Sequence, residues 1–134
     1  GDDGPPPSVF LVTLGPVPDH NARAGWVQNL LAAGGIRSIT PGPVMSVNEA
    51  VEGFEMSGAK VAAIASSDGW YEEHAAAVAA ALKEAGAKLV LLAGRPGDQR
   101  DVWTSAGIDR FAFVGVDVLD VLAEIHRALE VNPS

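Results

Sequence analysis

The chain has 134 residues, 48% of them hydrophobic, a formal net charge of −8 and no cysteine. That length and apolar content predict one folded domain with a full core. With no basic stripe to neutralise phosphates, nucleic acid and anionic membrane surfaces are poor partners. The missing thiols exclude disulfides, zinc–thiolate sites and thiol catalysis. No apolar run reaches the roughly 18 residues of a membrane span, and no signal peptide opens the sequence. A cytoplasmic setting is therefore expected.

Residues 1–7, Gly1-Asp2-Asp3-Gly4-Pro5-Pro6-Pro7, are polar and proline-rich and read as an extended linker or remnant of a longer polypeptide. The domain is expected over 8–131, with 132–134 as a tail. Ser8–Thr13 reads as a first buried strand. A loop follows, carrying Asp19-His20-Asn21, before a helix over Ala22–Ala33 with Val27, Leu30 and Leu31 on its inner face and Gly34-Gly35 at its end. Asp19 is expected to cap that helix and His20 to be a solvated loop histidine.

Arg37–Thr40 is a second strand. Ser46-Val47-Asn48-Glu49 has the spacing of a capping box and opens a helix that buries Val47, Val51 and Phe54 and stops at Gly58. Lys60–Ala65 is a third strand, and Ser66-Ser67-Asp68 the loop after it. Tyr71–Ala85 forms an alanine-rich helix with Val78, Leu82 and Ala85 inward and Gly86 after it. Lys88–Leu92 is a fourth strand, followed by Gly94-Arg95-Pro96-Gly97, which reads as a turn, and a short helix over Asp98–Ser105. Arg95 could pair with Asp68 or Asp98. Arg110–Val114 is the fifth strand and Asp117–Leu129 the last helix, with Val118, Val121, Leu122 and Ile125 on its buried face. Trp70-Tyr71 reads as a pair of rim aromatics at an interface, and His74 and His126 as structural or exposed.

Strand–helix alternation five times over predicts an α/β fold with a doubly wound parallel sheet, helices on both faces, and the flavodoxin-like order 2-1-3-4-5. In that order, ligands dock outside the carboxyl ends of the strands, beside the first and third. The loops meeting there supply Asp19, His20, Asn21, Ser66, Ser67, Asp68 and Gly94.

These loops resemble the cobalamin-binding domain of adenosylcobalamin-dependent mutases. That family carries Asp-x-His-x-x-Gly after the first strand, Ser-x-Leu after the third and Gly-Gly after the fourth. The resemblance implies a cobalt-ligating His, an Asp that orients it, and a tunnel of small residues for the nucleotide tail. Asp19 matches the Asp, Ser66 the Ser and Gly94 one Gly. Asn21 stands at the ligand position, His20 in the variable slot, Ala24 in the Gly slot, Asp68 at the Leu and Ala93 at the other Gly. An amide is a poor cobalt ligand beside an imidazole. Added methyl groups obstruct close approach of a backbone to a ligand.

Ser57-Gly58-Ala59-Lys60-Val61-Ala62, Ala81-Leu82-Lys83-Glu84-Ala85-Gly86-Ala87-Lys88 and Phe113-Val114-Gly115-Val116-Asp117 further resemble the small, non-catalytic subunit of heterodimeric methylmalonyl-CoA mutase. The resemblance implies the C-terminal domain of such a subunit, with a degenerate site at Asp19, His20, Asn21, Ser66, Ser67, Asp68 and Gly94. No cofactor or metal would be bound by this domain, and adenosylcobalamin would sit in the catalytic subunit. Its partners would be the large subunit, which interconverts methylmalonyl-CoA and succinyl-CoA, and a barrel-like domain N-terminal to this one. Two alternatives remain open: a working cobalamin domain with His20 on cobalt, and a receiver-like signalling domain. The receiver chemistry needs an acidic pair after the first strand, an Asp at the end of the third and a Lys after the fifth, where this chain has a lone Asp19, a displaced Asp68 and Gly115.

Overall fold

The computed structural model describes residues 7–130. The linker expected over 1–7, apart from Pro7, and the tail over 132–134 lie outside those residues. Strands β1 (Ser8–Thr13), β2 (Arg37–Ile39), β3 (Val61–Ala65), β4 (Leu89–Ala93) and β5 (Arg110–Ala112) form one parallel sheet in the order β2-β1-β3-β4-β5. The order follows the expected one, and β1 lies between β2 and β3, with Phe10 opposite Ile39 on one side and Ala62 on the other.

Every residue of β3 and β4 is buried, as expected of strands covered on both faces. The two-residue period divides the side chains between two layers. Phe10, Val12, Ile64 and Val90 point toward α2 (Val47–Ser57), α4 (Ala76–Glu84) and α5 (Arg100–Ala106). Val9, Leu11, Ala63 and Leu91 point toward α1 (Val17–Ala33) and α6 (Val118–Glu130). The β5 strand ends at Ala112, two residues short of expectation, because Phe113 and Val116 close a turn there with a Val116 N–H to Phe113 carbonyl bond of 2.9 Å.

The capping box before α2 forms with one change. Glu49 N–H donates to Ser46 Oγ at 3.1 Å, while the Glu49 carboxylate accepts from Met45 N–H, not from Ser46 N–H. Gly58 ends α2 in the left-handed region at φ 72°, a conformation glycine adopts without a Cβ clash. Within α2, Ala50 and Phe54 are buried while Val47 and Val51 are only partly so.

Two helices start earlier than their sequence signals suggest. The first begins at Val17, not Ala22, so Asp19, His20 and Asn21 are helical. Proline fits a first helical turn because its missing N–H would have no partner there, and Pro18 sits in that turn after Pro16 as N-cap. Asp19 is therefore no cap: its own N–H donates to the Pro16 carbonyl, and its carboxylate stands in the first turn. The helix after β3 begins at Asp68, with α3 (Asp68–Trp70) running through a π-helical turn, Tyr71–Ala75, into α4. The short helix after β4 splits into a 3-10 turn, Gly97–Gln99, and α5. At the far end, Val118 is 38% exposed, not buried as its spacing suggests.

Candidate functional site at the carboxyl edge

At the switch point, the loop from β1 to α1 is only three residues long, Leu14-Gly15-Pro16. Leu14 and Gly15 continue the sheet's hydrogen bonding: Leu14 N–H donates to the Ala65 carbonyl at 3.0 Å and Gly15 N–H to the Val44 carbonyl at 2.8 Å. Gly15 has φ 84°, and a Cβ there would lie 2.6 Å from the Trp70 indole. The indole thus lies directly on the Gly15 backbone, where glycine alone leaves room.

Below it, Ser66 is fully buried. Its hydroxyl donates to the Leu14 carbonyl at 2.6 Å and ties the end of β3 to the end of β1. Tyr71 is 1% exposed, so it is no rim aromatic. Its hydroxyl accepts from Ser66 N–H at 3.0 Å and donates to the Ala93 carbonyl at 2.6 Å, linking β3 to β4. Burial pushes the Tyr71 phenol up to about 12. The π-helical turn begins at this residue.

His20 is 6% exposed and contacts the Gly15 carbonyl through Nδ1 at 2.9 Å. It is a buried helix residue, not a solvated loop histidine: the early start of α1 turns position 20 onto the stripe it shares with Ala24, Val27 and Leu31. Asn21 is exposed on the outer side of the same helix. Asp19, His20 and Asn21 are thus parted over three faces of α1 and do not converge. Ser67 precedes α3 as its N-cap without a side-chain bond.

Ser66, Asp68 and Gly94 do come together, and what gathers them is Arg23. Its guanidinium donates to the Ser66 carbonyl at 2.8 Å, pairs with Asp68 at 3.0 Å and lies 5.2 Å from the centre of the Tyr71 ring. A Cβ on Gly94 would touch both Arg23 and Tyr71 at 3.4 Å. Asp68 is thereby taken, and Arg95 pairs with neither Asp68 nor Asp98. It donates to the Val114 carbonyl at 3.0 Å and covers the Phe113 ring at 4.3 Å. A groove of about 530 Å³ runs between these groups, with Trp26 and Ala112 among its lining residues.

No family model matches the chain. It is 44% identical over 89% of its length to the methylmalonyl-CoA mutase small subunit of Streptomyces virginiae, of which it spans 18%. It is 37% identical over 93% of its length to the methylmalonyl-CoA mutase small subunit of Propionibacterium freudenreichii subsp. shermanii, of which it spans 20%. The chain is a methylmalonyl-CoA mutase small-subunit-like domain. It covers about one fifth of the length of these curated relatives. Among solved structures, a CheY-like protein (TadZ) from Pseudomonas aeruginosa PAO1 superposes with a TM-score of 0.67 at 20% identity, over 96% of this chain and 97% of that one. That likeness concerns the fold alone.

In the small-subunit-like domain, Arg23 is the residue that motif reading passes over. The signal was present: Arg23 stands at the spacing of His20, Ala24 and Val27, so a cation interrupts an otherwise inward stripe. Among the described residues, no group of three or more His, Asp or Glu side chains is placed to hold a metal ion. No described helix is long and apolar enough to cross a membrane.

Proposed function

We propose that this chain is the C-terminal, cobalamin-binding-like domain of the small subunit of adenosylcobalamin-dependent methylmalonyl-CoA mutase. Its own cofactor site is degenerate, and it serves assembly beside a large catalytic subunit that carries out the isomerisation. The family reading draws on 44% identity to a small subunit over most of the chain. The degenerate site is supported by one observation above the rest: the Trp70 indole lies on the Gly15 backbone at the switch point, where a ligand of this fold would dock.

The residues present do not fit a cobalamin lower-ligand site. His20, in α1, is the imidazole beside the β1–α1 loop, and it is buried against the Gly15 carbonyl. A corrin could approach it only after α1 moved away. Asn21, at the family's ligand position, is exposed and offers an amide. Asp19 stands one helical position from His20, where neighbouring side chains do not face each other, so it is not placed to orient that imidazole. Asp68 places a carboxylate, paired with Arg23, where the family has an apolar residue.

An absorbance titration with adenosylcobalamin and hydroxocobalamin tests this reading. The expected outcome is no change in the cobalamin spectrum up to about 0.1 mM protein, a level that reveals micromolar binding. A shift to a histidine-ligated spectrum that disappears in His20→Ala would overturn it and establish His20 as a ligand.

A further inference from the structure

The groove on the α1–α6 side of the sheet, at the carboxyl ends of β4 and β5, has a composition that the assembly role does not use. Its two cations are both fixed in place. Arg23 is held by the Ser66 carbonyl and the Tyr71 ring, and Arg95 by the Val114 carbonyl and the Phe113 ring. Arg23 also has Asp68, whereas Arg95 has no carboxylate partner among the described residues. A guanidinium carries five N–H donors, so each retains donors that these bonds do not occupy.

Two guanidiniums and one carboxylate leave this groove cationic in a chain of net charge −8. The remaining lining is apolar, with Trp26, Ala93, Ala112 and Phe113 around a volume of about 530 Å³, within the size range of small-ligand sites. Gly94 follows β4 and directly precedes Arg95 in the chain. Its φ of 147° disfavours a side chain, and the missing Cβ leaves the Arg23 guanidinium uncovered there. Arginines normally lose rotamer freedom on binding. Here the carbonyl and ring contacts have already restricted both.

We propose that this groove binds a small organic anion, with a carboxylate or phosphate between Arg23 and Arg95 and an apolar body against Trp26 and Phe113. Guanidinium forks match both oxyanions in geometry. The groove shares Asp68, Ala93 and Gly94 with the degenerate cobalamin positions, so the proposal rests on the reading that this domain no longer holds that cofactor, which the cobalamin titration tests separately.

The test is a 1H–15N NMR titration of the chain with phenylacetate and with phenyl phosphate, using 2-phenylethanol as the uncharged counterpart. Saturable shifts at Arg23, Gly94, Arg95, Val114 and the Trp26 indole are expected with at least one anion. Which anion binds more tightly identifies the headgroup. The alcohol should bind about tenfold more weakly, and Arg95→Ala should weaken the anion about tenfold without altering the melting temperature, since Arg95 is exposed. The proposal falls if neither anion gives saturable shifts by about 20 mM. It also falls if the shifts lie elsewhere, if the alcohol binds equally well, or if Arg95→Ala binds as tightly as the parent.

Discussion

Tyr71 shows how much one side chain can organise at this edge. Its hydroxyl satisfies Ser66 N–H and the Ala93 carbonyl, two backbone groups that β3 and β4 leave open where they end. Tyr71→Phe would strand both in a buried place and should cost about 1–3 kcal/mol in urea unfolding at pH 7. The same residue sets an alkaline limit. Its phenol is raised to about 12 in the folded chain against 10.0 when exposed. Between those values the unfolded chain releases a proton that the native chain keeps. Stability is therefore complete below pH 10 and declines as pH rises toward 12, with a limiting slope of about 1.4 kcal/mol per pH unit. Unfolding at pH 7 and pH 11 should show this extra loss in the parent and not in Tyr71→Phe. Gly15 is a second such position. Gly15→Ala places a methyl 2.6 Å from the Trp70 ring at φ 84°, and a loss of about 1–3 kcal/mol is expected. Trp70→Ala in the same chain should recover the steric part of that loss and not the backbone part, as read from thermal melts.

Among the elements, α2 was the most legible. Its capping box, its glycine stop and Phe54 in the core all follow from local chemistry, and all three are seen. Ser46→Ala should cost about 1 kcal/mol by urea unfolding, with no change in the position of Phe54. By contrast, α1 starts five residues before its sequence signals suggest. Pro16 and Pro18 look like loop residues when read one at a time, yet a helix's first turn accepts them. Five residues of helix were hidden by that ambiguity, and they include His20. Its other end is settled by a distant residue: His126 Nε2 contacts the Gly34 carbonyl at 3.0 Å, so α6 completes the terminus of α1. Leu122 of α6 also packs on Gly34, where a Cβ would lie 2.7 Å from its methyl carbon. Sequence spacing within α1 carries no information about either contact.

At the level of the whole molecule, one sheet separates two apolar layers, and every strand residue of β3 and β4 contributes to one or the other. Both layers pack on the same five strands, so losing either one leaves a whole apolar face of the sheet open to water. Unfolding should therefore be a single transition. Trp103 reports the α2–α4–α5 layer and Trp26 the α1–α6 layer, so tryptophan fluorescence and far-ultraviolet circular dichroism should give superimposable urea curves. A separated pair of transitions would show that the layers melt independently.

By itself the sequence determined the strand order, the two-layer core and the resemblance to mutase small subunits. Those rest on features local in the chain: apolar runs, helical spacing, caps and phrases of a few residues. Only the tertiary structure decided what the carboxyl edge contains. Asp19, His20 and Asn21 are consecutive, but a helix turns each by about 100° from the last, so adjacency in sequence becomes divergence in space. Ser66 and Asp68 follow β3 and Gly94 follows β4, and they meet because Arg23 reaches across from α1 to all three. That convergence depends on how far α1 sits from β3 and β4, a distance set by core packing and not by any motif.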